Sequence, residues 1–419
     1  MNLKALLDNM KDCPCGKEHN CPIDHVRIGA GAINKLSSLC FGYKSVLVVS
    51  DHNTFEVAGE RVLYALRNQS VAQLTLGNKG QLLIPNEQAI SAIELALTDG
   101  IELIVGIGSG VINDLCKYVS FKANLPYYIV ATAPSMDGYA SVGAALILNG
   151  MKVTLNARPP KAIIADPEIL AKAPFDMIKA GYGDIIGKFS CLGDWKLSAL
   201  INGEYFCEKV YDLTYKTAEE VKDLAEGIKK RNKAAIAKLM EALVTVGIAM
   251  SLVGNSRPAS GSEHHLSHFF EITGILDKKD YFPHGIDVAY SAVETAKLRE
   301  KILSKAPKRR EFDKSLWEKE IRRIYSTSAE EVISLQERLG WYEKDDSETV
   351  LAKWDEVLEI MKNMPSSEEF LEMIEAVGLD YKEFLQLYGE EKIADALLYA
   401  KDLKDRYTIL WLNYFYFED

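Results

Sequence analysis

The sequence predicts an α/β domain with a parallel sheet over residues 1–168, followed by an all-α domain over residues 169–419. From about residue 26 to 167, short apolar runs rich in β-branched residues alternate with amphipathic helical stretches, the pattern of a parallel sheet covered on both faces. After "DPEIL" the strand-like runs stop and helical periodicity takes over. A chain of 419 residues also exceeds what one hydrophobic core usually holds.

Taken in order, "KSVLVVSD" (44–51) reads as a buried strand and "FEVAGERVLYALRN" as the amphipathic helix behind it. "VAQLTLG" (71–77) is the next strand, and "NEQAISAIELALTDG" the next helix, closed by Gly100. "IELIVGIGSG" (101–110) is a strand running into a glycine turn, and "VINDLCKYVSFKAN" is the helix that follows. "PYYIVATAP" (126–134) and "KAIIAD" (161–166) supply further strands. Sheets of this kind bind ligands at the carboxyl ends of their strands. In the second part, "TAEEVKDLAEGIKKRNKAAIAKLMEALVTVGIAMSLVG" reads as one long amphipathic tract, and the last hundred residues are similarly helical. "LSKAPKRREF" is expected to be a solvated basic loop. The aromatic "RYTILWLNYFYFED" at the end is expected to pack a subunit interface, in a homo-oligomer of two or more chains.

The composition, 48% hydrophobic and 26% charged, is that of an ordinary globular protein. A formal charge of −11 disfavours nucleic acid and anionic lipid as partners. No membrane span is expected, and an N-terminus without an apolar signal-peptide core makes the cytoplasm the expected location. Seven cysteines, an odd number spread over a long chain, argue for reduced thiols. Cys13, Cys15 and Cys21 cluster with His19, but C-x-C-G-x-x-H-x-C is not the usual zinc-knuckle spacing. A reduced, structural N-terminal arm is expected there.

"GIGSGVIND" (106–114) lies between a strand and a helix, where backbone N–H groups can receive a phosphate. Gly108, Gly110, Val111, Ile112, Asn113 and Asp114 are therefore candidate nucleotide-binding residues. The stretch is not the G-x-G-x-x-G fingerprint, and a tight strand–helix turn explains it equally well. Asp51, at an earlier strand end, could accept hydrogen bonds from a ribose and would repel a 2′-phosphate, favouring NADH over NADPH. A helix N-cap is its plainer role. "ATAPSMDGYAS" (131–141) offers Thr132, Ser135, Asp137 and Ser141 on a loop expected above the same crevice.

Three of the seven histidines fall within five positions, 264–268. On a helix, His264 and His268 would share one face. His284, in a Pro-His-Gly turn, and Asp184, in "GYGDIIGK", supply further candidate ligands. A carboxylate and two histidines, with open positions left over, describe a catalytic divalent metal. Singly, Asp184 could be a helix cap and His284 a loop residue, while His265 is expected to face solvent. The H-E-x-x-H protease motif does not apply, because residue 265 is His.

The order "GSGVIND", "TAPSMDG", "GDIIGK", "HHLSH", "PHG" resembles the superfamily of iron-type alcohol dehydrogenases, glycerol dehydrogenases and dehydroquinate synthases. With "CPCGKEH…VRIGAGA" and "SGSEHHLSHFFE", it resembles most the sn-glycerol-1-phosphate dehydrogenase family, particularly its bacterial form. The resemblance covers most of the chain and implies a dehydroquinate synthase-like architecture: a dinucleotide-binding α/β domain, a helical domain, and a metal in the cleft between them. It implies Asp184, His264 and His284 as ligands of one divalent ion (zinc, nickel or iron), with His268 beside the substrate rather than on the metal. It places Gly110 to Asp114, Thr132, Ser135 and Ser141 on NAD(P) and Asp137 on the substrate. Arg257, matching an arginine of dehydroquinate synthase, is a candidate partner for a substrate phosphate. The cyclase has glutamate where this chain has Asp184, which favours the dehydrogenases.

The activity so implied is reduction of dihydroxyacetone phosphate to sn-glycerol 1-phosphate, a step of phospholipid biosynthesis. The metal would polarise the ketone, the nicotinamide would give hydride, and His268 would relay a proton while Asp137 orients the substrate. A dehydroquinate-synthase-like cyclase and a polyol (glycerol) dehydrogenase are the alternatives on the same scaffold. A nucleotide-binding structural protein is a third.

Overall fold

A computed structural model describes residues 1–148 and 151–417. These form two compact units, Met1–Tyr182 with Glu226–Ser256 and Gly183–Ala225 with Arg257–Asp419. The division expected at residue 168 is replaced by an interleaved one. The helix Lys233–Val253 belongs with the first unit because its Gly247 lies flush against the Asp137–Ala140 turn.

In the first unit, strands β1 (His25–Ile28), β2 (Ser45–Asp51), β3 (Ser70–Leu76), β4 (Leu103–Gly108), β5 (Tyr127–Ala131) and β8 (Ala162–Ala165) form one sheet in the order β1-β8-β5-β4-β2-β3. Every pair is parallel. The central strands are apolar throughout because both faces are covered, and β4, β5 and β8 are buried along their whole length. Val46, Val48, Val105, Val130 and Ile164 belong to one core cluster. β2 and β4 are neighbours, but the chain leaves β2 towards β3 and β4 towards β5. That reversal leaves a crevice at the carboxyl ends of the two strands. A separate antiparallel hairpin, β6 (Gly143–Leu148) and β7 (Met151–Asn156), was not expected from the sequence.

The long tract 217–254 is broken rather than continuous. Arg231 takes a left-handed φ of 53°, and the Asn232 side chain caps a new helix by accepting from the N–H groups of Ala234 and Ala235. That helix, Lys233–Val253, is long and apolar enough to cross a bilayer by length and composition, but most of it is buried inside the protein. It therefore reads as a core helix.

The second unit is helical, and its C-terminal helix, Ile409–Tyr416, is buried within the same chain. The subunit-interface expectation gives way to an internal cage. Lys401 Nζ lies 3.8 Å from the Tyr414 ring centroid and 4.9 Å from that of Trp411, and it donates to Asp402 (2.8 Å) and to the Tyr342 hydroxyl (2.8 Å). The basic run 303–312 also docks rather than floats. Arg309 pairs with Asp346 at 2.7 Å, and Arg310 lies 4.0 Å over the Tyr414 ring. Residues 418–419, the end of that aromatic stretch, fall outside the described residues.

Burial lowers the Lys401 pKa to about 8, with Asp402 opposing the shift. A lysine depressed in the fold sheds its proton earlier than in the unfolded chain, whose value is about 10.4. Below pH 8 the cost of burying the ammonium is fully present, and it is relieved as pH rises from 8 towards 10.4. Lys401→Met should flatten that rise in unfolding free energy measured by urea titration. At pH 7 it should cost about 3 kcal/mol, because it strands Asp402, and adding Asp402→Asn should recover part of the loss.

Candidate metal centre

Asp184 lies near the end of the helix Phe175–Ile186. His264 and His268 lie on the helix Ser262–Asp277, and His284 opens the helix Leu303 closes, His284–Leu303. The close approach of the first helix to the third is set by glycine: a Cβ on Gly183 would overlap the Gly285 carbonyl oxygen, and one on Gly187 would strike Val288. Side chains absent at these positions let Asp184 reach His284.

One donor atom from each of Asp184, His264 and His284 lies within 4.8 Å of the others. His264 Nε2 is 3.5 Å from Asp184 Oδ1. The His268 ring stands beside the group, its centroid 5.3 Å from that of His284 and 6.5 Å from that of His264. His264 and His268 lie on one helix, and only His264 is in the donor group.

The surrounding contacts suit this group for a cation. His264 Nδ1 lies 2.6 Å from Glu263 Oε1, and a carboxylate can only accept, so Nδ1 carries the proton and Nε2 keeps its lone pair. The Ser267 hydroxyl lies 3.2 Å from the His284 carbonyl, to which it donates, and 3.1 Å from His284 Nδ1, from which it accepts. Lys188, fully buried, donates to Asp184 Oδ1 (2.7 Å) and to the Ala259 carbonyl (2.9 Å). Burial alone would raise the Asp184 pKa, but the buried Lys188 ammonium leads the neighbours that outweigh it and hold the carboxyl well below the usual carboxylate range. One carboxylate oxygen and two imidazole nitrogens fit a divalent metal of the zinc, nickel or iron type.

His284 is braced from behind. Asp287, one turn later, accepts the Tyr388 hydroxyl at 2.9 and 3.0 Å, and the Phe282 N–H donates to the same hydroxyl at 3.2 Å. Phe270, from the histidine helix, stacks on the Tyr388 ring at 4.0 Å. Gly389, with φ of 70°, kinks the helix Tyr381–Tyr399 directly after Tyr388.

One expectation in this unit is corrected, and a further candidate is found in an ion pair. His265 is fully buried rather than solvent-facing, neither ring nitrogen meets a hydrogen-bond partner among the described residues, and burial pushes its imidazole well below the usual range, so it is neutral. Arg257 is buried and bound by Glu204, with Nε at 2.7 Å from Oε1 and Nη2 on Oε2, while Nη2 also donates to the Tyr407 carbonyl at 2.9 Å. Nε and Nη2 of Arg257, the candidate partner for a substrate phosphate, are thus held within the protein.

In the first unit the nucleotide candidates fall at the sheet's carboxyl edge. Gly108 pairs with Ala131 in the register of β4 and β5, and a Cβ on Gly108 would lie 2.5 Å from Ile112 Cβ. Glycine there lets the helix Gly110–Lys122 start hard against the strand. Ile112 and Asn113 are buried, whereas Val111 is half-buried. The Thr132 N–H donates to the Gly108 carbonyl at 3.1 Å. Asp51 ends β2 and caps the following turn, accepting from the Thr54 N–H at 2.8 Å. Ser135 bonds the Tyr139 hydroxyl.

Lys117, which the sequence reading passed over, ties this loop together. Fully buried, it donates to the carbonyls of Gly138 and Gly143 (2.8 Å each), to Ser141 Oγ (3.2 Å) and to Asp114 (3.3 Å), and its charge also faces Asp137. Asp114 further accepts from the Ala145 N–H at 3.1 Å. Asp114 and Ser141 thus hold the loop's shape from below. The Asp114–Lys117 and Asp184–Lys188 spacings, i to i+3 and i to i+4, were the available signals for both lysines.

Comparison with known proteins gives four findings. A family model for iron-containing alcohol dehydrogenase matches residues 27–174. A glycerol-1-phosphate dehydrogenase [NAD(P)+] of Geobacillus thermodenitrificans is 32% identical over 390 residues, 90% of this chain and 89% of that protein. One of Methanosarcina acetivorans is 36% identical over 247 residues, 58% of this chain and 68% of that protein. Among solved structures, the NAD+ complex of sulfoacetaldehyde reductase from Bifidobacterium kashiwanohense shares the fold, with a TM-score of 0.60 at 16% identity over 93% of each chain.

Gly183→Ala should cost about 1–3 kcal/mol through overpacking and lower the metal content of purified protein, read by denaturant titration and elemental analysis. Glu263→Gln should keep the fold but weaken metal binding about 10- to 100-fold, measured by competition with a chromophoric chelator.

Proposed function

Because the chain belongs to the glycerol-1-phosphate dehydrogenase [NAD(P)+] family, we propose that it reduces dihydroxyacetone phosphate to sn-glycerol 1-phosphate with NAD(P)H. The observation that carries the reading is the Asp184–His264–His284 group, one donor atom from each of which lies within 4.8 Å of the others. A divalent ion held there supplies Lewis-acid polarisation of a carbonyl oxygen, and NAD(P)H supplies the hydride.

The chain's own residues do the rest. Lys188 and Glu263 fix the ligand side chains, which keeps them from reorganising during turnover. His268, beside the group and half-buried, donates the proton to the forming alkoxide, a role suited to an imidazole near neutral pH. Asp137 orients the substrate hydroxyl. Gly108 to Asp114, Thr132, Ser135 and Ser141 belong to the dinucleotide side, with Gly110, Val111 and Ile112 at the helix start offering N–H groups to phosphate. Asp51 lies at a strand end beside the β2/β4 switch point, where its charge would disfavour a 2′-phosphate, so NADH is the favoured donor. Arg257 is not carried into this scheme, since Glu204 holds it. A cytoplasmic, homo-oligomeric enzyme completes the proposal, with seven cysteines outside any disulfide in keeping with a reducing compartment.

With purified protein, NADH should be consumed in proportion to dihydroxyacetone phosphate and no inorganic phosphate should appear. A cyclase would release phosphate without net redox change, and a polyol dehydrogenase would prefer unphosphorylated glycerol. His268→Ala should retain the metal while losing on the order of 100-fold in kcat, whereas His264→Ala should lose both metal and turnover.

A further inference from the structure

The N-terminal arm carries a cluster that the reaction does not use. The donor atoms of Cys13, Cys15 and His19 lie within 4.8 Å of one another, and Cys15 Sγ is 3.3 Å from His19 Nε2. His19 Nδ1 lies 2.8 Å from the Leu252 carbonyl oxygen. A carbonyl only accepts, so Nδ1 carries the proton and the Nε2 lone pair faces the thiols. Gly16, with φ of 79°, supplies the left-handed turn directly after Cys15 that bends the chain back before His19. Cys21, a neighbour in sequence, is not in the group, and burial raises its thiol pKa. No cysteine of the chain is in a disulfide.

We propose that Cys13, Cys15 and His19 bind a structural zinc ion that fastens the N-terminal arm. Two thiolates and one imidazole form a soft donor set that selects zinc over the harder divalent ions. At neutral pH each cysteine gives up its S–H proton to solvent as the Zn–S bond forms, so two protons are released per ion bound. The arm is already tied to the helix Lys233–Val253 at two points: the Met1 ammonium pairs with Glu241 at 2.8 Å, and His19 reaches Leu252. An ion at the cysteines would close the loop between those anchors and restrict the unfolded arm.

The test uses the full chain. Wild-type protein loaded with cobalt(II) should show a thiolate-to-metal charge-transfer band in the near ultraviolet, and His264→Ala should keep it. The Cys13→Ser/Cys15→Ser double variant should lose the band and one metal equivalent while retaining the ion bound by Asp184, His264 and His284. Should that variant fail to fold, wild-type protein decides alone: a chelator should raise the number of thiols that react with a disulfide reagent by two and open residues 1–24 to protease. A cobalt-loaded protein without a thiolate band, or thiol reactivity unchanged by chelator, overturns the proposal. Neither result bears on the dehydrogenase reading, which rests on other residues.

Discussion

The metal group depends on one steric constraint, the contact between Gly183 and Gly285. Helix axes normally stand 8–10 Å apart, held there by the side chains between them. With glycine facing the start of the helix His284–Leu303, and Gly187 facing Val288 one turn on, a carboxylate oxygen of Asp184 comes within 4.8 Å of a donor nitrogen of His284. The same closeness would be worthless without rigid backing, and Tyr388 provides it by joining Asp287, the Phe282 N–H and the Phe270 ring.

Electrostatics then decides what the group can hold. Asp184 and Glu263 are both buried and both held ionised, with Lys188 the buried cation in contact with Asp184. Two carboxylates against one ammonium leave a net negative charge in a setting of low dielectric, which is costly unless a cation joins it. A divalent ion turns that deficit into a net positive charge, the sign that favours an anionic substrate and a forming alkoxide. Lys188 therefore matters twice: it orients one oxygen of Asp184, and it keeps the empty site from being too negative to fold around.

The sheet was legible because its strands are apolar runs bounded by glycine and proline, and "SVLVVSD", "LIVGIG" and "YYIVA" fall where expected. The β6–β7 hairpin was passed over although Asn149-Gly150, between two apolar runs, is a hairpin signal in the sequence. Asp184, His264 and His284 were singled out from residue type and family order, and the structure brings one donor atom of each within 4.8 Å of the others. What the sequence hid were partners distant along the chain. Nothing local announces that Arg257 belongs to Glu204, that His265 faces a buried wall, or that Arg309 and Arg310 dock on the C-terminal aromatics. The interleaved units were hidden for the same reason, since residues 226–256 look like any other apolar helix until Gly247 meets the Asp137 turn.

The histidines show how little local structure is needed to orient a ring. His264 has Glu263 on Nδ1, His284 has Ser267, and His19 has the Leu252 carbonyl. In each case a group facing Nδ1 orients the ring. His265 sits on the same helix as His264 and has no such acceptor. Its neutral ring therefore has no defined tautomer to offer and no cation to share. Side-chain identity does not tell these four histidines apart; the group facing Nδ1 does.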